Sequence, residues 1–198
     1  MIDFDYGFFH IERVWRIIRG DEAALEEMDI SSDGFWRSFA AIIWALPALF
    51  FAWVFDARDL MIQGVEMTMV RIVIYSAAIE MLLWFLPVFV LAFVLKPIGF
   101  SQRYSHLIIA RNWLSVPIVY AYVVIMLLGL LLGDAAPLVF AAFLFLLGAI
   151  WVQIRVTRVS LKSEISLASA LVIGEFILLL FIMLYLQSVL GLSISDAG

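Results

Sequence analysis

Five stretches of this chain, residues 35–55, 72–95, 114–133, 137–156 and 167–190, are apolar over a length that can cross a lipid bilayer. A helix rising about 1.5 Å per residue needs roughly 20 mostly apolar residues to span a hydrocarbon layer of about 30 Å. The composition agrees: 66% of the residues are hydrophobic and 15% charged, against about half and a quarter in soluble domains. These runs predict an all-α integral membrane protein, a five-helix transmembrane bundle preceded by an N-terminal amphipathic interfacial helix. The expected division is a cytoplasmic segment 1–34, a membrane domain 35–190 and a short external tail 191–198.

Lys and Arg set the direction, because basic loops stay on the cytoplasmic side. Arg13, Arg16, Arg19 and Arg37 precede or begin the first span, Lys96, Arg103 and Arg111 lie between the second and third, and Arg155, Arg158 and Lys162 between the fourth and fifth; Arg58 and Arg71 alone fall on the other side. The N-terminus is therefore expected in the cytoplasm and the C-terminus outside, in a membrane of cytoplasmic-membrane type. Acids precede the first apolar residues and no small-residue cleavage site follows, so a cleaved signal is not expected. "GDAAP", 133–137, predicts a tight hairpin between spans three and four. Residues 96–113 are too polar to cross, yet carry Phe100, Tyr104, Leu107 and Trp113; they are expected to lie, partly helical, at the cytoplasmic interface.

Before the first span, Phe4, Phe8, Ile11, Trp15 and Ile18 recur at helical spacing among Glu12, Arg13, Arg16 and Arg19. Such a face either lies in the membrane surface or packs on the protein's own spans, and the pattern leaves both open. Gly20 ends the helix. "DEAALEEMDISSD" follows, giving residues 1–35 nine acids against three arginines. An acidic segment beside anionic lipid needs a partner. The expected one is the basic loops on the same side; a docking site for another protein is the alternative.

Glu80 and Glu175 lie inside spans, about 12 Å from the start of each. An ionised carboxylate there costs about 2.5–3.5 kcal/mol, so each is expected to face inward, protonated or paired. Ser76 stands one turn before Glu80; Tyr75, Tyr120 or backbone freed at Pro87 could serve it, and Ala170 with Gly174 would allow close helix approach beside Glu175. One reading is a proton or cation relay. The other is a pair of neutral carboxyls that fix helix packing.

"SSDGFWRSF", 31–39, brings Asp33, Gly34, Phe35 and Trp36 to the start of the first span. This stretch resembles the motif at which proteins of the Yip1 domain family first enter the membrane, and the five-span, N-terminus-in topology is similar over nearly the whole chain. "ARNWLSVPIVY", 110–120, is similar in its Pro117 opening the third span; Asn112 and Trp113 stand where the family tends to carry a Gly-Tyr pair. The resemblance implies a non-enzymatic membrane protein, associated in eukaryotes with vesicle traffic.

The chain has no cysteine, which removes thiolate metal sites and cysteine nucleophiles. His10 and His106 stand on separate segments without ligand spacing, so no metal or cofactor is expected. A net charge of −5 excludes a nucleic-acid partner, which needs a clustered basic surface. No HExxH, P-loop, GxSxG or dinucleotide fingerprint occurs, and no enzyme is expected. The expected partners are the lipid bilayer and another membrane protein or a second copy. Contact residues for partner or lipid are expected among Phe8, Trp15, Arg16, Arg19, Asp33, Phe35, Trp36, Arg103, His106 and Arg111. The leading expectation is a scaffold, accessory subunit or membrane-organising factor. Its rival is a small proton- or cation-coupled carrier using Glu80 and Glu175.

Overall fold

The computed structural model describes residues 3–132 and 135–192. Helix α1 spans Phe4–Arg19, α2 Ser32–Ser38, α3 Ala41–Ile62, α4 Met69–Leu95, α5 Tyr104–Leu132, α6 Ala135–Leu161 and α7 Ile165–Val189, with 3-10 turns at Glu22–Leu25 and Ser101–Arg103. No strand occurs among the described residues. Five helical stretches, α2 with α3, then α4, α5, α6 and α7, are long and apolar enough to cross a membrane. The expected hairpin at 133–137 lies partly outside the described residues, as does the expected tail 191–198 beyond Leu192, which is itself buried beside Ala57 and Ile72 and so is not external.

The long helices form a ring. α3 packs on α4 and α5, α5 on α6, α6 on α7, and α7 returns to α4. Gly129 lets α5 and α6 approach closely: a Cβ there would come within 2.5 Å of Leu138. At Gly174, by contrast, a Cβ would meet nothing within 4 Å, so the Ala170–Gly174 pair forms no tight helix contact.

α1 and the turn after it close one end of the ring. Asp3 caps α1 by accepting from the Tyr6 N–H at 3.0 Å. Gly20 ends it at φ 116°, the left-handed conformation that costs least without a Cβ. Val14, Ile17, Leu25 and Met28 bury against Ile109, Trp113 and Leu114 of α5 and Val156 and Val159 of α6. Gly7 is held close enough to Trp44 that a Cβ would stand 2.3 Å from its ring. One face of α1 thus packs on the spans, while Phe4, Phe8 and Trp15 remain exposed on the other.

The acidic stretch lies against the basic ends of the spans. Glu26 pairs with Lys162 at 3.0 Å and Arg103 at 3.4 Å, and Glu22 pairs with Arg158. The Lys162 ammonium beside Glu26 holds its carboxyl below the usual range. These pairs are exposed, so each adds little stability; they set where the segment sits.

Residues 96–113 divide differently from expectation. A turn and the 3-10 segment occupy the first part, and from Tyr104 onward the chain already belongs to α5. Hydropathy counts apolar residues, whereas a helix continues for as long as its backbone bonds do. The third span therefore brings Arg111, Asn112 and Ser115 into the bundle.

Candidate functional site

The ring holds a partly open cavity of about 390 Å³ whose polar lining is Glu80, Arg111, Asn112, Ser115, Gln153 and Glu175. α4, α5, α6 and α7 each contribute. Leu83, Trp84, Pro87 and Leu91 supply the apolar wall.

Across this cavity α5 and α7 are joined by a bidentate ion pair. Arg111 Nη1 and Nη2 donate to the two oxygens of Glu175 at 2.6 and 2.5 Å, and Nε donates to Gln153 Oε1 at 3.1 Å. Both partners are nearly buried, with side-chain exposures of 14% and 7%. The planar fork of arginine matches a carboxylate in two parallel bonds, the strongest geometry available to such a pair. Glu175 is paired, and its partner is a residue placed at the interface by its position after Lys96 and Arg103.

Glu80 is the other carboxyl of the cavity. Among the described residues no hydrogen bond reaches it from Ser76, Tyr75 or Tyr120. Tyr75 instead accepts from Arg71 Nε at 3.0 Å, and Tyr120 donates to the Trp44 carbonyl at 3.1 Å. Glu80 also lines a second cavity, of about 220 Å³, together with Asp56, Tyr122 and Trp53. Glu80 thus borders both spaces, together with the apolar Ile118 and Val119.

The groups are staggered along the bundle. At about 1.5 Å per residue, Arg111 lies about 10 Å, Gln153 about 12 Å and Glu175 about 15 Å from the end of the ring that carries α1. Glu80 lies about 16 Å and Asp56 about 9 Å from the opposite end. Carboxyls therefore occur at three depths. Asp56 fell just past the counted end of the first apolar run, but α3 continues to Ile62 and carries it inside. Gln153 is one neutral polar residue in an apolar run, and only its bond to Arg111 marks it.

The other expected contact residues serve mainly internal roles. Arg16 binds Asp21 and Glu27. Arg103 Nε donates to the Ser160 carbonyl at 2.8 Å. His106 lies on the first turns of α5, and its Nδ1 is buried without a hydrogen bond. On α2, Asp33 occupies the first turn, Phe35 packs on Phe39 and Tyr104, and Trp36 is 71% exposed. Gly34 is required there, since a Cβ would stand 2.1 Å from the Asp29 carbonyl oxygen. Phe8 lays its ring edge-on to Trp44 at 5.0 Å. Trp15 and Arg19 stay on the outer face, the guanidinium 5.2 Å from the indole. No group of histidines and acids suited to a metal ion is found among the described residues.

No protein-family model, curated protein or solved structure matches the chain.

Proposed function

We propose that this protein is a non-enzymatic membrane carrier that moves protons, or a solute coupled to them, through its helix ring, with Glu80 taking up and releasing the proton. The observation that carries the reading is that, among the described residues, Glu80 is the one carboxyl that borders both cavities. Both Glu175 oxygens are bonded to Arg111, so the carboxyl with free oxygens in the central cavity is Glu80. Intramembrane acids that face a cavity commonly mark such paths. With the basic end of the bundle in the cytoplasm, Asp56 serves the outer side and the Arg111–Gln153–Glu175 cluster the inner side. The Yip1-like stretch at Asp33–Trp36 lies on α2 and lines neither cavity, although Phe35 packs beside Leu91 and Ile108 of the central one.

Liposomes holding a pH-sensitive dye and the purified protein test it. An imposed pH gradient should collapse faster than in empty liposomes, and Glu80→Gln should abolish the flux while leaving thermal stability unchanged, because an amide has the shape of the acid but cannot exchange a proton. Wild-type liposomes as tight as empty ones would return the protein to the scaffold or accessory-subunit reading, and full flux in Glu80→Gln would remove Glu80 as the group that carries the proton.

A further inference from the structure

On the outer surface of the ring, α1, α5 and α6 leave a groove of about 360 Å³ that is almost wholly apolar. Its lining includes the small or flat residues Pro117, Ala121, Gly148 and Ala149, and the end nearer α1, taken as its mouth, includes Trp15 and Trp151. The lining of α5 runs from Leu114 to Ala121, about 10 Å along the helix axis. Small residues on two adjacent helices remove the side chains that would otherwise fill the seam.

Each tryptophan at the mouth carries an arginine over its ring. Arg19 stands 5.2 Å from Trp15 and Arg155 stands 5.7 Å from Trp151. Arg155 Nε donates to the Ile17 carbonyl at 2.9 Å. Its Nη groups, and the whole Arg19 guanidinium, have no carboxylate partner among the described residues. In a segment with nine acids, most other arginines nearby are paired. An apolar slot that follows α5, with two cations free of carboxylate partners among the described residues beside the tryptophans that line it, has the chemistry of a phospholipid seen from the protein side.

We infer that this groove is a binding site for an anionic phospholipid, one acyl chain lying between α5 and α6 and the phosphate held by Arg19 and Arg155. The occupant is a lipid because its two parts must arrive joined: the slot excludes charge, and the cations sit only at its mouth. A protein side chain or a free phosphate would satisfy one half and leave the other.

Native mass spectrometry of the protein in mild detergent, titrated with phosphatidylglycerol, phosphatidylcholine or inorganic phosphate, tests this. Phosphatidylglycerol should bind more tightly than phosphatidylcholine, and Arg19→Gln should weaken it about fivefold, as losing one arginine at a membrane surface does. Arg19 is the better choice of the two because Arg155 also holds α1. Gly148→Leu should fold normally, since a Cβ at Gly148 meets nothing within 4 Å, yet lose bound phosphatidylglycerol by filling the slot. Equal binding of the two lipids would overturn the site, as would phosphatidylglycerol binding unchanged in Gly148→Leu at wild-type melting temperature. Binding of inorganic phosphate as tight as that of phosphatidylglycerol would show an anion site without an acyl groove, and would overturn it too.

Discussion

His10 is fully buried beneath Trp113, with its ring 5.3 Å from the indole and 4.1 Å from Tyr6. Its Nδ1 lies 2.8 Å from the Tyr6 carbonyl and its Nε2 accepts the Asp29 N–H at 3.3 Å, which requires the neutral ring with the proton on Nδ1. Burial pushes its pKa below the ordinary value; the Tyr6 carbonyl and the Asp29 carboxylate oppose the shift, while Arg37 and Arg13 add to it. Because the folded state prefers the neutral form, the contribution is complete above the ordinary histidine value of about 6.5 and is lost as pH falls through the lower folded value. Amide exchange across α1 and at Asp29, corrected for the intrinsic rate, should therefore speed up as pH drops from about 7 to about 5. The step should vanish in His10→Gln. Unchanged protection over that range in the wild type would mean that the ring accepts a proton without loosening α1.

At the level of elements, α7 is held by packing on α6 and α4 and by one bond across the ring, Arg111 to Glu175. Arg111→Leu would strand the Glu175 carboxylate in the bundle, at a cost of about 3–5 kcal/mol for a broken buried pair. Replacing both residues by leucine should cost far less, since no charge is left behind. Unfolding in denaturing detergent measures the two variants, and equal losses would mean that the pair is not the tie. The elements themselves were legible from the chain: apolar length located the five long helices, and the period of Phe4, Phe8, Ile11, Trp15 and Ile18 located α1, with Gly20 as its end. The cross-ring tie was not. Arg111 reads as one more cation beside Arg103 until α5 is known to begin at Tyr104, and no local pattern pairs it with a carboxyl 64 residues away. Asp56 is hidden for a related reason: with Arg58 and Asp59 just after it, it reads as the polar end of the first apolar run, while α3 continues to Ile62.

For the molecule as a whole, the arrangement places the loops at 96–103 and 162–164 at the α1 end and the loop at 63–68 at the other. Cysteines at Ser101 and Ser163 should be labelled from the cytoplasm and one at Glu66 from outside, on a chain with no native cysteine to confuse the result. Labelling of Glu66 from the same side as Ser101 would break the five-span topology. The docking of α1 also has a consequence in time. Arg155 reaches back to Ile17 across 138 residues, and at about 5–20 residues per second the ribosome needs roughly 7 to 28 s to make that interval. Throughout it Val14, Ile17 and Leu25 have no α6 to lie against. Translation thus leaves the first helix made early and finished late: α5 can cover part of its face as soon as Leu114 is made, but a chain arrested before Val156 still lacks the α6 side of that contact.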